Sequence, residues 1–197
     1  MGIEKYQGAT FVENPAEPHL GGNIREGDPF TYCPIVWGYV IERFCITSVM
    51  DLGSGIGNAA NYFFRKHNLR TIAIEGLPEN VRNSAYPAIC HDLTKGPVIT
   101  KVDLVHCQEV VEHIDEKYLP NLLDTLACGR VILMTHALPG EEGHHHVNLR
   151  PAEYWVNHIT ARGYNLLVED TQRIRGIAGQ ERAIFMQSSG LLFHRNQ

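Results

Sequence analysis

The chain has 197 residues, 44% of them apolar and 20% charged, with a formal net charge of −5, a balance that fits one globular domain with a packed core. No run approaches the ~18 apolar residues of a membrane span, and an acidic chain without a basic stripe disfavours broad binding of nucleic acid, leaving at most a nucleotide or RNA end. Five dispersed cysteines without a C-x-x-C pair suggest neither a disulfide frame nor a zinc ribbon, and "MGIEKYQGATF" has no apolar leader, so a cytoplasmic protein without membrane contact is expected.

An irregular arm rich in Gly, Pro and Asn runs from Met1 to about Phe30. Pro34 then opens a helix, "PIVWGYVIERF", with apolar residues at helical spacing. Residues 1–45 are expected to cover the mouth of a cofactor and substrate cleft, and residues 46–197 to form the core of a single domain. That core alternates. "ITSVMDL" reads as strand, "NAANYFFRKH" as helix, "RTIAIE" as strand and "PENVRNSA" as a short helix. "YPAIC" is a weak strand, "VDLVHC" a strand, "EKYLPNLLDTLA" a helix and "GRVILMTH" a strand. "PAEYWVNHITARG" is a helix, followed by strands over "YNLLVED" and "RAIFMQSSGLLF". No helix is read between these last two, so they are expected to form an antiparallel hairpin at one edge. Strands alternating with helices of ~10 residues give right-handed βαβ units. The expected class is α/β, a doubly wound and mostly parallel sheet with helices on both faces.

In such sheets ligands lie beyond the carboxyl ends of the strands. The first strand-to-helix turn is "DLGSGIG", Asp51 to Gly57, where glycines let the backbone touch a ligand. A dinucleotide turn would space its glycines as G-x-G-x-x-G and face a pyrophosphate. Here the third glycine comes one residue early, and Asp51 suits a cationic group such as an α-ammonium. Glu75 ends the next strand, where a carboxylate can accept two ribose hydroxyls. Asp92, in "HDLT", is placed to accept from an adenine amino group, with a polar turn residue as the alternative. Amino acid, ribose and adenine together make S-adenosylmethionine.

With these residues and the "HCQEVVEHI" segment, the chain resembles the class I (Rossmann-like) S-adenosylmethionine-dependent methyltransferases from about Val49 to Gly163. The small-molecule O-methyltransferases of the ubiquinone-biosynthesis type share the E-x-x-E-H string. The resemblance implies a seven-stranded sheet with a reversed last hairpin. It also implies that Gly53, Gly55 and Gly57 line the cofactor turn, with Ser54, Gly76, Leu93 and Gln108 beside them and Gly22 of the arm near the methionine end. Tyr32 and Trp37 are candidates to wall the acceptor.

If residues 109 to 113 form a helical turn, Glu109, Glu112 and His113 share one face. His144, His145 or His146 of "EEGHHHVN" can join them across the pocket, and His145 stands for that triplet as the fourth ligand. Two carboxylates and imidazoles suit Mg²⁺, Mn²⁺, Fe²⁺ or Zn²⁺. Plant small-RNA 3′-terminal 2′-O-methyltransferases look similar here, with two Glu, an adjacent His and a later His holding a divalent ion at the terminal ribose hydroxyls. Such an ion lowers a hydroxyl pKa and fixes its line of attack. Without a metal, a histidine can act as general base, and a hydrogen-bonded polar loop is the third reading. His113, Glu112 and His136, the last at the end of the fifth strand, are the catalytic candidates.

The expected activity is methyl transfer from S-adenosylmethionine to an oxygen, or a nitrogen, of a small metabolite, releasing S-adenosylhomocysteine. The alternatives are a metal-assisted 2′-O-methyltransferase acting on a nucleotide or RNA end, and a non-catalytic cofactor-binding domain that pairs with another protein.

Overall fold

The structure, a computed structural model, describes residues 9–196. Residues 1–8, which include most of the stretch read above for a leader, and residue 197 lie outside the described part. Seven strands form one sheet: β1 (Ser48–Leu52), β2 (Arg70–Glu75), β3 (Ala88–Cys90), β4 (Val102–Cys107), β5 (Gly129–Met134), β6 (Tyr164–Leu166) and β7 (Leu191–Arg195). Their order is β3-β2-β1-β4-β5-β7-β6. The first five pair in parallel, and β7 runs antiparallel to both β5 and β6. The connections from β1 lead outward on one side and those from β4 on the other, so the ends of β1 and β4 flank the switch point where a crevice opens.

All five residues of β1 are buried, which is what a strand covered on both faces requires. Its side chains alternate between two cores. Met50 and Leu52 pack with Val105, Leu122 and Trp155. Val49 packs with Trp37, Val40, Phe63 and Ile174 on the opposite face. Helices α1 (Pro34–Arg43), α2 (Asn58–His67) and α6 (Val168–Glu181) cover the second face; α4 (Leu119–Leu126) and α5 (Ala152–Thr160) cover the first. A short α3 (Pro78–Asn83) joins β2 to β3. Prolines open α1, α3 and α4 at the first turn, where a missing N–H costs nothing.

The chain end corrects the sequence reading. β6 and β7 do pair antiparallel, but α6 and α7 (Ile184–Ser189) lie between them, and β7 begins only at Leu191. Helix α6 buries Thr171, Ile174 and Ala178, an i, i+3, i+7 set carrying one large apolar side chain among charges and two glycines. That leaves little periodicity to read. The run "AIFM" belongs to α7, which stops at Gly190; a Cβ there would lie 2.5 Å from the Met186 carbonyl oxygen. Among the described residues no helix is long and apolar enough to cross a membrane.

Candidate functional site

A cleft of about 370 Å³ opens at the carboxyl ends of β1, β2 and β4 and is roofed by arm residues around His19 to Thr31. Its floor is the turn after β1. Gly53, Gly55 and Gly57 all have positive φ. A Cβ at Gly55 would meet nothing within 4 Å, so the turn is bare on the side that faces the cleft. Gly57 plays a different part from the one expected. It is the left-handed N-cap of α2 and packs against Ser84, set back from the cleft lining.

Glu75 closes β2 at the cleft wall. Its Oε2 accepts the Gly55 N–H (2.7 Å) and its Oε1 the Leu77 N–H (2.8 Å). Burial pushes its pKa up, while the hydrogen bonds from Leu77, Gly55 and Asn80 oppose the rise. With three donors on about four acceptor sites, the carboxylate keeps room for a further donor from the cleft. Asp51 lines the cleft and is also tied into the fold: Oδ1 lies 2.7 Å from His106 Nδ1, and Oδ2 accepts the Ala60 N–H. The pairing places His106 opposite Asp51 across β1 and β4. His106 Nε2 in turn accepts the Trp37 indole N–H (3.2 Å). Asp92 caps a short turn by accepting the Thr94 N–H (2.8 Å) and hydroxyl (2.7 Å), and meets His19 Nε2 of the arm at 3.1 Å. Burial alone would raise its pKa; the hydrogen bonds from Thr94 and His19 outweigh it and hold the pKa down. Gly76 and Leu93 line the same end of the cleft, with Leu20 of the arm packed over Gly76.

Four of the described cleft-lining residues hold buried polar atoms without a partner: Asn23 Oδ1, Ser54 Oγ and Gln108 Nε2 on the cofactor side, and His113 Nδ1 beyond β4. Buried polar atoms are rarely left unpaired. An acceptor, a hydroxyl and a donor spread along one cleft fit a polar ligand of the S-adenosylmethionine kind. Ser54 and Gln108 were expected; Asn23, which donates to Asn80 Oδ1 (3.1 Å), was not.

Beyond β4 the chain does not form the helical face read from the sequence. Glu109 has a φ of 55°, and only Val111–His113 makes a 3-10 turn. A left-handed residue at 109 breaks the i, i+3, i+4 relation, and Glu109 falls outside the group of ligand atoms that packing gathers, though it stays near Glu112. Glu109 donates its N–H to Thr135 Oγ1 and accepts the Thr135 hydroxyl, both at 2.8 Å. Burial and the charge of Glu112 push the Glu109 pKa well up. Glu112 is fully buried with both oxygens unpartnered, and burial pushes its pKa up to about 7. His113, whose Nδ1 also lacks a partner, is driven down to about 3 by burial and the neighbouring histidines.

Glu112, His113 and His146 bring one ligand atom each within 4.8 Å of one another. The histidine that joins them is His146, not His145. The left-handed φ of His145 (49°) turns the loop there, and its ring faces His19 at 6.3 Å. Two unpartnered carboxylate oxygens and an unpartnered imidazole nitrogen are an expensive burial without a cation; the donor set fits a divalent ion of the Mg²⁺, Mn²⁺ or Zn²⁺ kind. His136 also departs from expectation. It is buried beside Trp155 (ring centroids 6.3 Å apart), with Nδ1 facing the Ala137 carbonyl (3.2 Å), and is not among the cleft-lining residues. Tyr32 and Trp37 do line the cleft, their rings 5.1 Å apart.

No protein-family model matches the sequence, and no curated protein is detectably similar to it. Solved structures are similar in fold. The methyltransferase domain of bacterial CtHen1 aligns with a TM-score of 0.62 at 13% identity, over 86% of this chain and all of that one. Magnesium protoporphyrin IX methyltransferase from Synechocystis PCC 6803, solved with bound S-adenosylmethionine, gives 0.54 at 15% identity, over 67% of this chain and 66% of that one. The [4+2]-cyclase SpnF gives 0.57 at 15% identity, over 95% and 86%. The chain therefore has the Rossmann-like fold of the class I S-adenosylmethionine-dependent methyltransferases. A cyclase among the neighbours shows that fold alone does not set the reaction, so the activity rests on the site.

Proposed function

We propose that the protein is an S-adenosylmethionine-dependent O-methyltransferase whose acceptor hydroxyl is held by a divalent cation. The observation that carries this is the set of buried Glu112 with half-buried His113 and His146, Glu109 beside it, at the rim of the cleft. Asp92 and Leu93 are read as the adenine end, Glu75 as the ribose clamp, and the turn from Gly53 to Gly55 as the floor. Asn23, Ser54 and Gln108 offer the unpartnered atoms that a bound cofactor pairs. The arm, within residues 1–45, is read as the cover.

When bound, S-adenosylmethionine would supply a methyl already activated on a sulfonium, forming the carbon–oxygen bond as the carbon–sulfur bond breaks, with the hydroxyl proton lost to solvent. Glu112, His113 and His146, with Glu109 beside them, would hold a cation, which would supply Lewis acidity that lowers the hydroxyl pKa. The chain's own work is to align oxygen, methyl and sulfur and to keep water out. Tyr32 and Trp37 wall that volume. A pair of adjacent hydroxyls, as in a catechol or a ribose, is the acceptor such an ion can grip. The net charge of −5 supports a small acceptor. A nucleotide or RNA end, which presents the same diol, is the second reading on the same cluster.

The test is S-adenosylhomocysteine release from a catechol and from a ribonucleoside, each assayed with Mn²⁺ and with chelator. Chelator-sensitive turnover of either supports the proposal, and the preferred acceptor selects between the readings. Chelator-insensitive turnover, or turnover only of an amine, contradicts it.

A further inference from the structure

Of three consecutive histidines, only His146 joins the acidic cluster. His144 points the other way. Its Nε2 donates to the Pro18 carbonyl of the arm at 2.9 Å. Its ring lies so close to Gly22 that a Cβ there would come within 2.6 Å, and Gly22 takes a φ of +89°. His144 therefore seats in a notch of the arm that only glycine provides.

The arm that forms this notch also forms the cofactor side of the cleft. His19 bonds Asp92, Leu20 covers Gly76, Asn23 bonds Asn80 next to Glu75, and Arg25 pairs with Glu79. On the other flank, the Val147 and Asn148 N–H groups both donate to the Glu112 carbonyl (3.0 and 3.1 Å), and Asn148 Nδ2 donates to the Ile114 carbonyl (3.2 Å). The loop bearing His146 is thus held at one end by the turn that carries Glu112 and His113. At the other end it is held by the arm.

We propose that His144 is a positioning residue that joins the cation site to the cofactor site, so that the two ligands bind cooperatively. A cofactor that pairs Asn23 and rests against Leu20 fixes the arm; the fixed arm holds the His144 notch; and the seated His144 holds the loop in the register that presents His146 to Glu112. By linkage the cation strengthens cofactor binding by the same factor. The inference rests on the cofactor and cation readings above, but it concerns the link and not either site.

The experiment is calorimetric titration of Mn²⁺ into chelator-treated full-length protein, with and without saturating S-adenosylhomocysteine. Wild type is expected to bind Mn²⁺ about fivefold or more tightly when the nucleoside is present, the lower end of ordinary coupling. His144→Ala is expected to bring that ratio near one while still binding each ligand. His144→Gln, whose amide can reach the Pro18 carbonyl, is expected to restore part of it. Gly22→Ala breaks the notch from the arm side and is expected to lose the coupling too, which guards against a His144 variant that fails to fold. A wild-type ratio of one, or coupling retained in both His144→Ala and Gly22→Ala, overturns the proposal. So does complete loss of Mn²⁺ binding in His144→Ala, which would make His144 a ligand. If wild type binds no Mn²⁺ or no S-adenosylhomocysteine, the underlying site reading fails instead.

Discussion

Thr135 and Glu109 are hydrogen-bonded to each other twice through one hydroxyl, which takes the Glu109 N–H and gives its proton to the Glu109 carboxylate. Thr135 itself extends beyond β5, its N–H bonded to the Cys107 carbonyl (3.1 Å) at the end of β4. This clamp holds a non-glycine residue in left-handed backbone, a conformation that costs of order 1 to 3 kcal/mol. Strain of that kind persists where the surroundings impose it, and here it turns Glu109 toward Glu112.

Removing the clamp is expected to weaken the cation site and little else. Thr135→Val keeps the shape and loses the hydroxyl. Its Mn²⁺ affinity should fall by roughly 1.5 to 3 kcal/mol, the worth of a hydrogen bond to a charged group. Thr135→Ser should recover most of this. Equal affinities in wild type and Thr135→Val would show that Glu109 needs no such support.

Glu75 gives a complementary expectation. Both oxygens already accept one backbone N–H, so they are aimed before any ligand arrives. Glu75→Gln should lower S-adenosylhomocysteine affinity by about 1.5 to 3 kcal/mol, since hydrogen bonds to a carboxylate lose their charge assistance. The Mn²⁺ affinity of nucleoside-free protein should not change. A calorimetric comparison checks both numbers, and unaltered nucleoside binding would remove Glu75 from the ribose.

Asp103 makes a stability prediction apart from the site. Partial burial would raise its pKa, but its Oδ2 accepts from the hydroxyl and N–H of both Thr47 and Ser48, and these bonds hold the pKa down to about 2. The folded pKa lies below the ordinary value of 3.8. The stabilisation is therefore fully present above about pH 4 and is lost as pH falls through 2. Discounted for the solvent reaching the carboxylate, it is worth roughly 1 kcal/mol. Urea unfolding should show Asp103→Asn destabilised by that much at pH 6 and matching wild type near pH 2. A deficit independent of pH would assign the effect to shape and not to charge.

Much of the fold could be read from residues. β1, β2, β4 and β5 are apolar runs, and the helices that follow them open beside proline or glycine. The exceptions were α6, whose single large buried apolar side chain, Ile174, leaves no period to find, and the short α7, whose apolar run "AIFM" reads as strand. Turn chemistry put Gly55 and Glu75 at the cleft because a left-handed glycine turn and a strand-end carboxylate stand out in the sequence. Gly57 could not be told from its neighbours, since helix capping and ligand contact both call for the same left-handed glycine. His106 was missed because its role comes from standing opposite Asp51 across two strands, a register that the sequence does not state. The choice of His146 over His145 was likewise out of reach. A loop has no period, and the left-handed turn at His145 is imposed by contacts with the arm and the Glu112 turn.

The central claim is that these residues hold a divalent cation. Its most direct test is titration of Mn²⁺ into chelator-treated protein saturated with S-adenosylhomocysteine, followed by electron paramagnetic resonance, for wild type, His146→Ala and His145→Ala. One tight ion per chain in wild type and His145→Ala, lost in His146→Ala, is the expected result. No tight ion in wild type, or an ion that survives in His146→Ala and disappears in His145→Ala, would contradict the claim.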